Sequence, residues 1–129
     1  MANQPATNTF CWNELATTDA GVCTKFYTQL FGWTTELVPI GGGANYTVFK
    51  QGDTKTGGML QMDANWGTIR PHWMPYILVD DVDQYAKRVS ELGGKVCVPP
   101  TTMQVGRFAV VEDPTGGYFS IIKFNQPPA

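Results

Sequence analysis

Met74–Gly94, MPYILVDDVDQYAKRVSELGG, decides how the chain is built. It runs from an apolar strand through an Asp cap into an amphipathic helix, and Gly93-Gly94 stops it. A shift of 62 positions toward the N-terminus finds the same plan in Trp12–Gly32, WNELATTDAGVCTKFYTQLFG. Leu15 falls on Ile77, Thr18 on Asp80, Asp19 on Asp81, Leu30 on Leu92 and Gly32 on Gly94. The register continues without a gap, with Tyr46 on Phe108, Val48 on Val110 and Met59-Leu60-Gln61-Met62 on Ile121-Ile122-Lys123-Phe124. Caps, glycines and apolar positions agreeing at one fixed offset mark a duplicated module.

Working outward, each copy reads as strand, helix and three strands. In the first, Phe10–Ala16 alternates as a half-buried strand and Thr18 is the expected N-cap. Asp19 falls in the first turn, at the positive end of the helix dipole. Val22, Cys23, Phe26, Tyr27 and Leu30 form an apolar stripe. Strands are expected at Trp33–Val38, Tyr46–Lys50 and Gly57–Met62, with Gly41-Gly42-Gly43 as a hairpin turn. That triplet lacks the Lys-Ser/Thr of a phosphate loop. In the second copy the expected strand is Trp73–Val79 and the cap is Asp80. Val82, Tyr85, Val89 and Leu92 form the helix's buried face. A short strand near Val96, a break at Pro99-Pro100, and strands Arg107–Glu112 and Tyr118–Phe124 follow. The modules thus cover about 9–62 and 72–125, with 63–71 as connector and loose tails at Met1–Asn8 and Asn125–Ala129.

With 129 residues the chain makes one domain, and a net charge of −2 without a basic run argues against nucleic acid as a partner. No apolar run nears the roughly 20 residues of a membrane span, so a cytoplasmic protein is expected. Cys11, Cys23 and Cys97 show no metal-type spacing and read as buried reduced thiols, the first two as possible neighbours.

The paired βαβββ modules, FYTQLFGW after the first helix, ILVDDVDQYAKRVSELGG, and VVEDPTGGYFSII near the end resemble the vicinal-oxygen-chelate superfamily. This is the group of glyoxalase I, the bleomycin- and fosfomycin-resistance proteins and the extradiol dioxygenases. CWNELATTD and the Trp content resemble one of its mostly uncharacterised branches. The resemblance implies an α+β fold whose modules curl a mixed sheet into a cup. It also implies a homodimer and, in catalytic members, a divalent metal bound by the first and last strand of each module. Carried over, those positions are Trp12, Gly58, Met74 and Ser120. An indole, a hydrogen, a thioether and a hydroxyl cannot replace imidazole and carboxylate, and the chain has 1 His. No metal and no other cofactor is expected.

Strand alternation then turns Glu14 to the side of Trp12, and Tyr76 to the side of Met74. Glu14 and Tyr76 are repeat mates, and Ser120 is the third inward polar group. A carboxylate walled by Trp12, Met74 and Tyr76 would lose hydration and could anchor a ligand or accept a proton; equally, Glu14 could close the cup by bonding Tyr76 or Ser120. His72 reads as a rim residue, and Arg107 as a strand-edge cation or an anion anchor. Trp33, Trp66 and Trp73 read as packing, with Trp73 facing the helix layer. The leading expectation is metal-independent binding of an apolar or aromatic small molecule by Trp12, Glu14, Met74, Tyr76 and Ser120. The alternatives are a metal-free lyase, isomerase or epimerase with Glu14 as base and Tyr76 as acid or oxyanion donor, and a partner-binding module whose cup is filled by Trp12 and Met74.

Overall fold

A computed structural model describes residues 6–41, 44–64, 67–103 and 105–125. Gly42, Gly43 and Trp66, to which the sequence assigned a turn and a packing role, lie outside the described residues. The elements run β1 (Phe10–Thr17), α1 (Ala20–Phe31), β2 (Thr34–Gly41), β3 (Ala44–Gln51), β4 (Thr54–Gln61), β5 (His72–Leu78), α2 (Val82–Glu91), β6 (Lys95–Met103), β7 (Gly106–Glu112) and β8 (Tyr118–Phe124). Contacts divide the chain into two compact units, Trp12–Met74 and Pro75–Ala129 with Met1–Cys11. Each is a βαβββ unit of the α+β class.

Within Trp12–Met74 the strand order is β2-β3-β4-β1, and within the second unit it is β5-β8-β7-β6. In both, the first strand pairs in parallel with the last, and the remaining pairs are antiparallel. A parallel partner cannot be reached by a tight hairpin, so the chain crosses over through a helix first. The duplication extends to the ladders. Glu14 pairs with Gly58 and Gly58 with Val48, while Tyr76 pairs with Ser120 and Ser120 with Val110. Every partner moves by the same offset.

Both helix starts differ by one residue from the sequence expectation. Asp19, rather than Thr18, is the N-cap and accepts from Val22 N at 3.1 Å; Asp81, rather than Asp80, accepts from Gln84 N at 3.0 Å. Gln61 also serves the first helix start, its Oε1 accepting from Ala20 N at 2.9 Å. At the other end Gly32 ends α1 with φ 73°, but α2 ends with Leu92 as cap and Gly93 at φ 93°. Gly94, the formal repeat mate of Gly32, is instead a point of close approach, where a Cβ would meet Glu112 O at 2.4 Å.

The α1 stripe also needs correction. Leu15, Phe49 and Met59 form the core of the first unit, and Ala20, Cys23, Tyr27 and Trp33 pack on it. Val22, Phe26 and Leu30 are more than half exposed. The two apolar rows of this helix lie about 100° apart, so only one can face the strands. The same row is chosen in α2, where Val82 and Ala86 are buried and Tyr85 and Val89 partly so. Leu92, expected inside, is exposed like its mate Leu30. Tyr27 is the hub of the first unit's aromatic packing, 5.9 Å from Trp33, 5.7 Å from Phe49 and 5.5 Å from Trp73 between ring centroids. Trp73 Nε1 donates to the Tyr27 hydroxyl at 3.1 Å. Trp33 and Trp73 are therefore packing residues, with Trp73 against α1.

Three smaller expectations fail for local reasons. β6 continues through Pro99-Pro100, which its place at the end of the strand order and its register shift between Val98 and Thr101 allow. Asn8 is tied rather than loose: its N donates to Leu78 O, and its Oδ1 accepts from the Tyr85 hydroxyl at 2.5 Å. Asn125 N likewise donates to Val105 O at 3.0 Å.

The corrected caps can be tested directly. Asp19→Ala should cost about 1 kcal/mol in urea unfolding, and Thr18→Ala about 0.5 kcal/mol or less. The turn before β8 gives a pH test. Asp113 Oδ1 accepts from Thr115 N, Thr115 Oγ1 and Gly117 N at 2.8, 2.7 and 3.0 Å. The Thr115 hydroxyl, followed by the Gly117 and Thr115 amides, holds its carboxyl below the ordinary 3.8. A depressed folded value stabilises above the unfolded one and is lost as pH falls through the folded one. Asp113→Asn should therefore lower stability at neutral pH and make the loss below about pH 4 shallower in acid titrations of unfolding.

Candidate functional site: the strand faces turned from the helices

Alternation sorts each strand into two faces. In the first unit Leu15 packs in the α1-side core and Thr17 Oγ1 lies 3.3 Å from Cys23 Sγ on α1, so Trp12, Glu14 and Ala16 take the opposite face. Register places Glu14, Gly58, Val48 and Glu36 in one row across β1, β4, β3 and β2. Tyr46 lies two residues from Val48 on the same face, and its side chain reaches back over Gly58. A Cβ built on Gly58 would come within 1.8 Å of the Tyr46 hydroxyl oxygen. Trp12 Nε1 donates to that hydroxyl at 2.9 Å. Trp12 and Glu14 are half-buried. Glu36 is balanced by Lys50, 3.9 Å away, on its own row's neighbour.

In the second unit Ile121, Ala109 and Val111 join Val79 and Val82 in the α2-side core. The opposite face carries the equivalent row Tyr76, Ser120, Val110 and Val98 across β5, β8, β7 and β6. Leu78, Ile122, Phe108 and Thr101 make the next row. Tyr76 is buried and Ser120 is 0 % exposed. Ser120 Oγ has no hydrogen-bond partner among the described residues. Buried hydroxyls are ordinarily paired, so this one calls for a physical account.

The sequence-derived candidates thus divide between the units. Tyr76 and Ser120 are register partners in the second, and Trp12 and Glu14 share a face in the first. Met74, half-buried, is the last residue of the Trp12–Met74 unit. His72 opens β5 instead of preceding it, and its Nδ1 lies 2.7 Å from Arg70 O. Arg107 is committed to a fork on Asp83, with Nε and Nη2 each donating at 2.8 Å, and to Thr102 at 2.8 Å. It ties β7 to α2. Sequence reasoning missed Tyr46. Its signal was an aromatic two residues from the position opposite a glycine, which needs the ladder register to be read.

The thiols offer no ready nucleophile. Partial burial pushes Cys11 up, and burial followed by the Glu112 carboxylate pushes Cys97 up. Cys97 is exposed, against expectation, and donates to Glu112 Oε2 at 3.2 Å. Cys23 pairs with Thr17.

The duplicated βαβββ plan and its ladder register define a family. The chain belongs to the Glyoxalase/Bleomycin resistance protein/Dioxygenase superfamily, whose model matches residues 9–121. It is 39% identical over 118 residues to CFP32 of Mycobacterium tuberculosis, whose glyoxylase name is provisional; the match covers 91% of this chain and 44% of the relative. It is 31% identical over 123 residues to the anthracycline biosynthesis protein DnrV of Streptomyces peucetius, covering 85% and 45%. The chain therefore spans less than half the length of these curated relatives. Among solved structures it resembles hypothetical protein BH1468 of Bacillus halodurans, with TM-score 0.69 and 13% identity over 96% of this chain and 99% of that one. It also resembles the Mn(II)-bound glyoxalase of Novosphingobium aromaticivorans, with TM-score 0.59 and 20% identity over 95% and 41%. At such identities these likenesses concern the fold alone.

The residues here do not fit a divalent metal. The positions that correspond to family ligands hold Trp12, Gly58, Met74 and Ser120. Among the described residues no three of His, Cys, Asp and Glu come together.

Gly58 and Tyr46 form a lock that can be measured. Gly58→Ala must displace the Tyr46 ring and break the Trp12 bond, at about 1–3 kcal/mol. In the Tyr46→Leu background the same change should cost at least about 0.5 kcal/mol less, and additivity of the two would contradict the lock.

Proposed function

We propose that this chain binds a small, largely apolar, planar molecule without a metal, on the strand faces turned from its helices. The observation that carries this is the donor set: family ligand positions held by an indole, a hydrogen, a thioether and a hydroxyl. What the second unit's face offers instead is aromatic and aliphatic side chains with few polar groups, the usual make-up of a small-molecule site, while the first adds carboxylates at Glu14 and Glu36. Trp12 contributes an indole plane and Glu14 a carboxylate in one unit. Tyr76 and Ser120 contribute phenol and hydroxyl in the other. Met74 contributes an adaptable apolar side chain.

A filled, partner-binding face is the second reading, and Tyr46 seated over Gly58 favours it. A thermal-shift screen of planar apolar compounds separates the two. The binding reading expects hits whose stabilisation falls in Trp12→Phe, and a full screen without hits favours the filled face. Metal analysis after purification without chelator should find no stoichiometric Zn, Mn, Fe or Ni. A tight one-to-one metal would overturn the proposal.

A further inference from the structure

The two helix-free faces are built from repeat-mate rows, yet they differ in charge and in filling. The first unit's row is Glu14, Gly58, Val48 and Glu36, with two carboxylates, and Tyr46 occupies the space over its glycine. The second unit's row is Tyr76, Ser120, Val110 and Val98, with no ionisable carboxylate or cation. Where Gly58 receives a neighbour's hydroxyl, its mate Ser120 supplies one of its own, wholly buried and without a partner among the described residues.

An orphaned buried hydroxyl costs stability, because it leaves water without a replacement bond. Ala at position 120 would avoid that cost and keep the fold. A ligand group bonding Ser120 Oγ removes the cost on binding. The surroundings also state the chemistry of that group. A charge placed beside Ser120, between its buried or half-buried neighbours Tyr76 and Val110 and next to Ile122, would lose its hydration with no counter-charge on the row. A neutral hydroxyl or carbonyl can bond and remain cheap to desolvate.

We propose that Ser120 is the polar recognition point of this chain, binding one neutral hydroxyl or carbonyl group of an otherwise apolar molecule, while Tyr46 closes the equivalent place in the other unit. Because Ser120 is 0 % exposed, this binding requires the side chains over it to part. The inference rests on the small-molecule reading above and narrows it to a ligand class and a residue.

The test uses two probes of matched shape, 2-naphthol and 2-methylnaphthalene, with the full chain and its Ser120→Ala and Tyr46→Phe variants. Without a probe, Ser120→Ala should raise Tm by about 3 °C, since an unsatisfied hydroxyl is removed. It should weaken 2-naphthol about five- to tenfold and leave 2-methylnaphthalene within about twofold. Tyr46→Phe should leave the ratio of the two affinities unchanged. A lower Tm in Ser120→Ala would show the hydroxyl already satisfied and overturn the inference. So would unchanged 2-naphthol affinity, or a change of the ratio in Tyr46→Phe, and each would leave small-molecule binding standing. Failure of both probes to bind the unmodified chain would instead sink the small-molecule reading itself.

Discussion

Parallel pairing of the first and last strand in each unit is the constraint on which the remaining structure depends. Glu14 opposite Gly58 and Tyr76 opposite Ser120 fix which residues share a face. Because side chains alternate, a slip of one residue would send Glu14 and Tyr76 to the helix side and bring Leu15 and Ile77 out. The apolar cores prevent it. Leu15, Phe49 and Met59 hold one register, and Val79, Ala109, Val111 and Ile121 hold the other. The core residues thereby decide, from the opposite face, where the polar groups stand.

That coupling explains what could be read from the amino-acid order. Strand alternation and the fixed offset are local or translational patterns, so the two modules, the faces of Glu14 and Tyr76, and the mate relation of Gly58 to Ser120 were all legible. The face of α1 was not. Val22, Phe26 and Leu30 are as apolar as Cys23 and Tyr27, and only the position of the strands selects the second row. The caps slipped by one because Thr18-Asp19 and Asp80-Asp81 each offer two capable side chains in succession; geometry, not residue type, chooses the second. Tyr46 was hidden for a related reason. Its partner Gly58 is remote in sequence, and the absence of a side chain carries no hydropathy signal.

Repeat symmetry in backbone and asymmetry in side chains are separate facts with separate causes. The ladders need only backbone bonds and apolar cores, so they tolerate divergence on the helix-free faces. Ligands from several positions are needed to hold a metal, and Trp12, Gly58, Met74 and Ser120 carry no imidazole or carboxylate, while the ladders of their strands keep the fold. Membership of the superfamily therefore fixes the scaffold and leaves the activity to the site.

The two faces then diverge in a way that repeat symmetry alone would not produce. Gly58 is compatible with the Tyr46 ring only because it has no Cβ, and Trp12 holds that ring by its hydroxyl. Packing of this kind stabilises a face by filling it. Ser120 acts in the opposite sense: a buried hydroxyl without a partner is desolvated with no hydrogen bond in return. A chain under selection for stability alone would have both rows filled in the first manner. The proposed ligand bond to Ser120 Oγ is one way such a group acquires the partner that buried hydroxyls in native structures ordinarily have.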